Sequence, residues 1–316
     1  MYRIDFPVLY LGDGMPRIAE AVARRVPVHR LDALTPDIAA GLRGIVVTWH
    51  TVPVNDAFLA RFPKVEIVAS FGVGYDHIDA AAAAKRGVTV THTPDVLSDE
   101  VADTAMALLL AAVRETGPAE RHLRAGRWAS HGPYRLTSSL RGRTMGVLGL
   151  GRIGKAIAKR AEAFGLKVVY HGRSAQPGLP FIYYPTLEGM AKACDILMIA
   201  APGGASTRNL VDAKILAALG PDGVLVNVAR GSLVDEAALA AGLAAGVIRA
   251  AGLDVFENEP HVPEALLKLD NVALLPHVGS ASHATRDAMA DLVVNNLFSW
   301  IDGKGPLTPV PESRIL

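Results

Sequence analysis

The chain has 316 residues, half of them hydrophobic and a fifth charged. That is enough for roughly two domains with their own cores, and it excludes a disordered chain. Thirty-two basic against 31 acidic residues leave a formal charge of +1, which gives no electrostatic case for a nucleic-acid partner. A single cysteine, Cys194, excludes an internal disulfide framework and fits a reducing compartment.

At the N-terminus, Asp5 and Pro7 stand where a signal peptide would keep its apolar stretch. The longest apolar run, TAMALLLAAV, is about half the length needed to span a bilayer. A cytoplasmic protein without membrane association is therefore expected.

In chain order, PVLYL, GIVVTW and VEIVAS read as buried strands, each followed by turn residues and a helical pattern, and GVTVTHTP reads as another strand ending at Pro94. The segment Asp99 to Thr116 reads as a long helix with an acidic first turn, bridging a first domain to a second. TMGVLGL, LKVVYHG, CDILMIA, GVLVNVA, IRAAGLDV and NVALLPH continue the strand rhythm between Ala-rich helices. Continuous apolar strands imply parallel sheets covered on both faces, so the expected class is doubly wound α/β. His283 to Trp300 has helical apolar spacing, and the tail GKGPLTPVPESRIL is Pro-rich and extended.

Gly149, Gly151 and Gly154 form G-x-G-x-x-G between the strand TMGVLGL and a helix over about Arg152 to Phe164. The first glycine permits a tight turn, the second lets pyrophosphate approach the backbone, and the third lets helix and strand pack closely. The first-turn amides at Arg152, Ile153 and Gly154 complete a phosphate-binding helix start. The next strand ends at His171-Gly172-Arg173-Ser174, and no carboxylate occurs between Gly165 and Glu188. An NAD site would place an acid there for the ribose 2′-OH. Arg173 with Ser174 suits a 2′-phosphate instead, so NADP(H) is the expected cofactor, with NAD(H) secondary. Gly72-Val73-Gly74 also follows a strand, and it reads either as a turn or as an amide nest for a small anion.

Three downstream strands each lead into a loop bearing a polar residue: Arg230 in NVARGSLVDE, Glu259 in LDVFENEP and His277 in LLPHVGSAS. Loops beyond strand C-termini line the ligand crevice of an open α/β sheet. Keto-acid reduction needs such a set. A histidine can protonate the carbonyl oxygen as hydride arrives from the nicotinamide. A carboxylate beside a histidine fixes the ring, and an arginine pairs with the substrate carboxylate. No H-E-x-x-H or Cys/His spacing suggests a metal.

Together GLGRIG, NVARGSLVDE, LDVFENEP and LPHVGSAS, with FGVGYDHID and TPDVLSDEVADTAMALLL upstream, resemble the D-isomer-specific 2-hydroxyacid dehydrogenase family. The resemblance implies that Arg230 binds substrate, Glu259 partners the histidine and His277 is the acid/base. It implies that Val73 and Gly74 receive the substrate carboxylate. It places Thr104, Ala201, Pro202, Val228, Ala229, Asp254 and Gly279 against cofactor. It further implies a flavodoxin-like substrate domain, 1–98 with 286–316, into which a Rossmann cofactor domain, 99–285, is inserted, and a homodimer.

HGRS and GKGPLTPVPE look most like NADPH-dependent glyoxylate/hydroxypyruvate reductases and the related hydroxyphenylpyruvate reductases. His77 and Asp95 depart from the common pattern near the substrate loops and put substrate preference in question. Trp128 reads either as a packing residue or as one that reaches a partner subunit. D-3-phosphoglycerate dehydrogenase is a second enzyme reading, opposed by the missing NAD carboxylate and by the chain's end soon after the last helix. A dinucleotide-sensing, corepressor-like interaction protein is the non-enzyme alternative.

Overall fold

A computed structural model describes residues 4–48 and 52–315. The chain divides into two compact units, 1–97 with 282–316 and 98–281.

The first unit runs β1 (Val8–Leu11), α1 (Pro16–Ala23), β2 (Val28–Arg30), α2 (Pro36–Gly41), β3 (Gly44–Val47), α3 (Asp56–Leu59), β4 (Ile67–Ser70), α4 (Ala80–Lys85) and β5 (Thr89–Thr91). All five strands are parallel, in the order β2-β1-β3-β4-β5, which is the flavodoxin-like winding. Strands β1, β3 and β4 are buried along their whole length, as expected of parallel strands covered on both faces. Helix starts follow the capping chemistry of the sequence. Thr35, Asn55 and Asp79 each accept an amide of the following turn. β2 has only one apolar residue in VHR and sits at the sheet edge, so no hydrophobic run announced it.

The second unit opens with α5 (Ser98–Arg114), α6 (Thr116–Arg124) and α7 (Arg127–His131). It continues through β6 (Thr144–Leu148), α8 (Arg152–Ala163), β7 (Lys167–His171), β8 (Ile182–Tyr183), α9 (Leu187–Ala193) and β9 (Ile196–Ile199). It closes with α10 (Ala213–Leu219), β10 (Val224–Asn227), α11 (Glu236–Ala244), β11 (Ala250–Leu253), α12 (Glu264–Leu267) and β12 (Val272–Leu274). Its seven strands are all parallel, ordered β12-β11-β10-β9-β6-β7-β8. The order reverses between β6 and β9, which places the topological switch point of a dinucleotide-binding sheet there. α5 packs on α8 and across β10 and β11, while α9, α10 and α11 pack in a row. α5 ends at Arg114 because Glu115 turns into the left-handed region, φ 50°.

The chain then returns to the first unit with α13 (His283–Ile301), which Ser282 caps and which packs on α1 and β4. The tail after α13 pairs antiparallel with β5 through Thr91 and Pro309, and Val310 lies fully buried in the first unit's core. Both units are thus the doubly wound parallel α/β class expected from the strand rhythm.

Candidate active site

In the second unit the site residues expected from sequence sit just beyond the C-terminal end of a strand, except Thr104 on α5 and Arg152, Ile153 and Gly154 in the first turn of α8. Gly149 and Gly151 follow β6, Arg173 and Ser174 follow β7, and Ala201 and Pro202 follow β9. Val228, Ala229 and Arg230 follow β10, Asp254 and Glu259 follow β11, and His277 and Gly279 follow β12. The strands are parallel neighbours, so these loops share one edge of the sheet. β10, β11 and β12 are consecutive in that sheet, and their loops carry Arg230, Glu259 and His277 in that order.

The glycine loop is fixed by close approach. A Cβ on Gly149, whose φ is +92°, would lie 2.6 Å from the Ala201 backbone across the switch point. A Cβ on Gly154 would lie 2.2 Å from the Gly149 carbonyl oxygen, so α8 seats directly on the turn. Gly151, by contrast, faces open space, with nothing within 4 Å of a Cβ built there. Its Gly151 carbonyl accepts the Lys155 amide, while the earlier amides of α8 have no preceding turn to bond to. The residues present therefore fit a dinucleotide: a cradle without side chains, at a helix start with partial positive charge. Arg173 and Ser174 are exposed, and among the described residues no carboxylate stands between Gly165 and Glu188.

His277 and Glu259 are in contact, with Nδ1 2.7 Å from Oε2. A carboxylate only accepts, so Nδ1–H donates and Nε2 stays outside that bond. The pair is only partly covered, with side-chain exposures of 38 % and 32 %. Glu259 also accepts the Phe256 amide through its other oxygen at 2.9 Å. Burial pushes the Glu259 carboxyl up, but the His277 hydrogen bond, the Phe256 amide and the nearby charges of His277 and Arg230 outweigh it. The carboxyl is held below its ordinary value of 4.5. It is therefore an anion at neutral pH.

His277 has φ 53°, a left-handed backbone that costs a non-glycine residue roughly 1–3 kcal/mol. Asp254 holds it there. The Asp254 carbonyl accepts the His277 amide at 2.8 Å, and its two carboxylate oxygens accept the Val278 and Gly279 amides, each at 2.8 Å. Burial raises the Asp254 carboxyl against the pull of those two amides. The fit leaves no room at Gly279, where a Cβ would lie 2.8 Å from Asp254 Oδ2. Thr104 Oγ1 reaches the Gly279 carbonyl from α5 at 3.4 Å.

Arg230 is brought to this pair by the residue after it. A Cβ on Gly231 would lie 1.9 Å from the Phe256 carbonyl carbon and 2.1 Å from the Glu257 amide nitrogen, so the two loops touch backbone to backbone. Buried Asn227 fixes the arginine's turn, donating to the Arg230 carbonyl at 2.8 Å and accepting the Ala229 amide at 3.0 Å. The Arg230 guanidinium donates to the Ala229 carbonyl at 2.8 Å. Buried Glu236 at the start of α11 accepts the Glu257 amide at 2.7 Å and braces the Glu259 loop from below. Neither Gly231 nor Glu236 carries a signal in the sequence, because both act through contacts between loops distant in the chain.

Residues 106–279 match the model of the "D-isomer specific 2-hydroxyacid dehydrogenase, NAD binding domain" family, more than half of the chain. The chain belongs to the D-isomer specific 2-hydroxyacid dehydrogenase family. Among its relatives in this family, glyoxylate/hydroxypyruvate reductase A of Arabidopsis thaliana is 49 % identical over 80 % of each chain. Hydroxyphenylpyruvate reductase of Plectranthus scutellarioides is 48 % identical over 78 % of this chain and 79 % of its own. An NADPH-dependent glyoxylate/hydroxypyruvate reductase of Sinorhizobium meliloti, solved with NADP and malonate, superposes with a TM-score of 0.93 at 51 % identity, covering 98 % of both chains. Within this 2-hydroxyacid dehydrogenase, the remaining expected substrate residues lie in the first unit. Val73 and Gly74 follow β4, and among the described residues no backbone carbonyl accepts either amide. Trp128, on α7, is 63 % exposed.

Proposed function

We propose that this protein is an NADPH-dependent reductase of short 2-keto acids, glyoxylate and hydroxypyruvate among them, giving D-2-hydroxy acids. The observation that carries the reading is the His277–Glu259 contact on loops adjoining that of Arg230, on the sheet that bears the glycine loop. The reductase names of the Arabidopsis and Sinorhizobium relatives support the substrate class. Arg173 and Ser174, just after Gly172 where an NAD site would carry an acid, support NADPH, as does the NADP in the Sinorhizobium structure.

On this reading the first unit is the substrate domain and the second the cofactor domain. Gly149, Gly151, Arg152, Ile153 and Gly154 hold the pyrophosphate. Arg173 and Ser174 hold the 2′-phosphate by charge-assisted hydrogen bonds. Thr104, Ala201, Pro202, Val228, Ala229, Asp254 and Gly279 line the rest of the cofactor. The bound nicotinamide supplies hydride to the ketone carbon. Arg230 pairs with the substrate and polarises the carbonyl, and the Val73 and Gly74 amides receive the carboxylate. His277 gives its Nε2 proton to the carbonyl oxygen while ionised Glu259 holds the ring. The reading includes a homodimer, as the family resemblance implies, and a cytoplasmic location, for which the single thiol speaks. Among the described residues no helix is long and apolar enough to cross a membrane.

The test follows nicotinamide absorbance with NADPH and NADH against glyoxylate, hydroxypyruvate and hydroxyphenylpyruvate. Turnover of the two short acids with NADPH is expected. Preference for the aryl acid would move the protein to the hydroxyphenylpyruvate reading favoured by the Plectranthus relative. The Arg173→Ala variant should raise the KM for NADPH roughly tenfold or more, the loss of a charged hydrogen-bond partner, and leave that for NADH nearly unchanged. Equal effects on both would end the NADPH assignment.

A further inference from the structure

The amides of Val73 and Gly74 can receive a carboxylate only if their peptide planes are turned the right way. In a trans peptide the carbonyl and the following N–H point in opposite directions, so whatever holds the carbonyl aims the amide. The Gly72 carbonyl accepts the Thr93 amide at 2.8 Å, which turns the Val73 N–H away from the end of β5. Buried Thr93 also accepts the Gly72 amide on Oγ1 at 3.0 Å. The Val73 carbonyl is bonded to Nδ1 of His92 at 2.9 Å, which turns the Gly74 N–H away from His92. A carbonyl only accepts, so His92 carries its proton on Nδ1.

His92 is itself held by the C-terminal tail. Its amide donates to the Thr308 carbonyl at 3.2 Å, and its carbonyl accepts Thr308 Oγ1 at 2.6 Å. Fully buried Asn296 of α13 anchors that stretch, accepting the Leu307 and Thr308 amides at 3.0 and 2.9 Å and donating to Thr308 Oγ1 at 2.8 Å. The His92 ring meets Tyr75 edge to face, centroids 5.6 Å apart, and the Tyr75 hydroxyl donates to Glu312 of the tail at 3.1 Å. Every link lies within the first unit.

We infer that His92 is a positioning residue for substrate binding, and that the tail from Leu307 to Glu312 belongs to the carboxylate receptor by holding His92 against the Val73 carbonyl. The inference rests on the proposed role of the Val73 and Gly74 amides. Losing the His92 bond frees the peptide plane and weakens carboxylate binding equally in the ground and transition states, which raises KM and spares kcat.

The test uses the full-length enzyme saturated with NADPH. His92→Leu should raise the KM for glyoxylate about tenfold, the worth of one hydrogen bond of this kind, with kcat and NADPH affinity held within about twofold. His92→Asn, whose amide can donate from nearly the same place as Nδ1, should recover most of the loss. A purely structural role would not produce that rescue with kcat untouched. Oxamate, an unreactive 2-keto acid analogue, should shift the Val73 and Gly74 amide resonances in the wild type and leave them unmoved at the same concentration in His92→Leu. If His92→Leu binds oxamate as the wild type does and keeps its KM, the inference falls while the carboxylate reading stands. If the two amides ignore oxamate in the wild type, the carboxylate reading itself falls and the inference with it. Should His92→Leu fail to fold, Tyr75→Phe carries the same test through Glu312. It should raise KM about threefold, from losing part of one hydrogen bond's worth, and an unchanged KM overturns the inference.

Discussion

Replacing Gly231 by alanine adds one methyl group at the tightest backbone contact in the candidate site. Its Cβ would lie 1.9 Å from the Phe256 carbonyl carbon and 2.1 Å from the Glu257 nitrogen, where ordinary contact begins at 3.4 Å. Both neighbours are backbone, so no side chain can rotate aside. The Arg230 loop and the Glu259 loop must separate by about 1.5 Å, and a misplacement of about 1 Å at a reacting centre can cost on the order of a hundredfold in rate. Overpacking of this kind also destabilises by about 1–3 kcal/mol, which lowers the thermal midpoint by roughly 2–10 °C in a unit of this size. The glycine loop follows β6, away from this contact, so NADPH should still bind, weakened only by the shift of Val228 and Ala229 in the Arg230 loop. The assay is steady-state reduction of hydroxypyruvate, with NADPH affinity by fluorescence and a melt by circular dichroism. We expect kcat/KM to fall about a hundredfold while the cofactor still binds. A Gly231→Ala enzyme with full activity would refute the argument that this contact aligns Arg230 with the pair.

Glu259→Gln keeps the shape of the side chain and removes its charge. We expect kcat to fall about a hundredfold, the scale of a general acid deprived of its partner, in a single-turnover or steady-state assay. The wild-type carboxyl lies below 4.5 in the folded protein, so the stability it contributes is fully present above that value and is lost as pH falls through the lowered one. The stability gap between wild type and Glu259→Gln, followed by urea titration from pH 6 to pH 3, should therefore shrink only below about pH 4.5. Asp254→Asn leaves one oxygen for two amides that each sit 2.8 Å from a carboxylate oxygen. It should destabilise by about 1–3 kcal/mol and release His277 from its left-handed backbone, read as a lower midpoint and a large loss of kcat.

How much of this was legible in the sequence depends on how local each cause is. The buried parallel strands showed as continuous apolar runs, and α8 showed complete, from the glycine turn to Gly165. The edge strands β2 and β8 did not show. VHR and IY offer two or three residues with little burial, and only pairing to a neighbour makes them strands. α5 ends at Arg114, two residues before the Thr116 that the sequence pattern suggests, because Glu115 stops it in a left-handed turn, a residue type that gives no such signal. Arg230, Glu259 and His277 stood out because each ends an apolar strand with a polar side chain in an orderly series. What holds them was hidden. Gly231 matters only because another loop lies against it, Asp254 because it grips the two amides after His277, and His92 because a tail more than two hundred residues later pins it.

On the proposed function, His277, held by Glu259, delivers the proton that completes keto-acid reduction. The most direct measurement is turnover of hydroxypyruvate by His277→Ala alongside its affinity for NADPH. We expect a rate reduced by about a thousandfold, within the usual range for a general acid, with NADPH binding unchanged within about twofold. A variant that kept a tenth or more of the wild-type rate would contradict it.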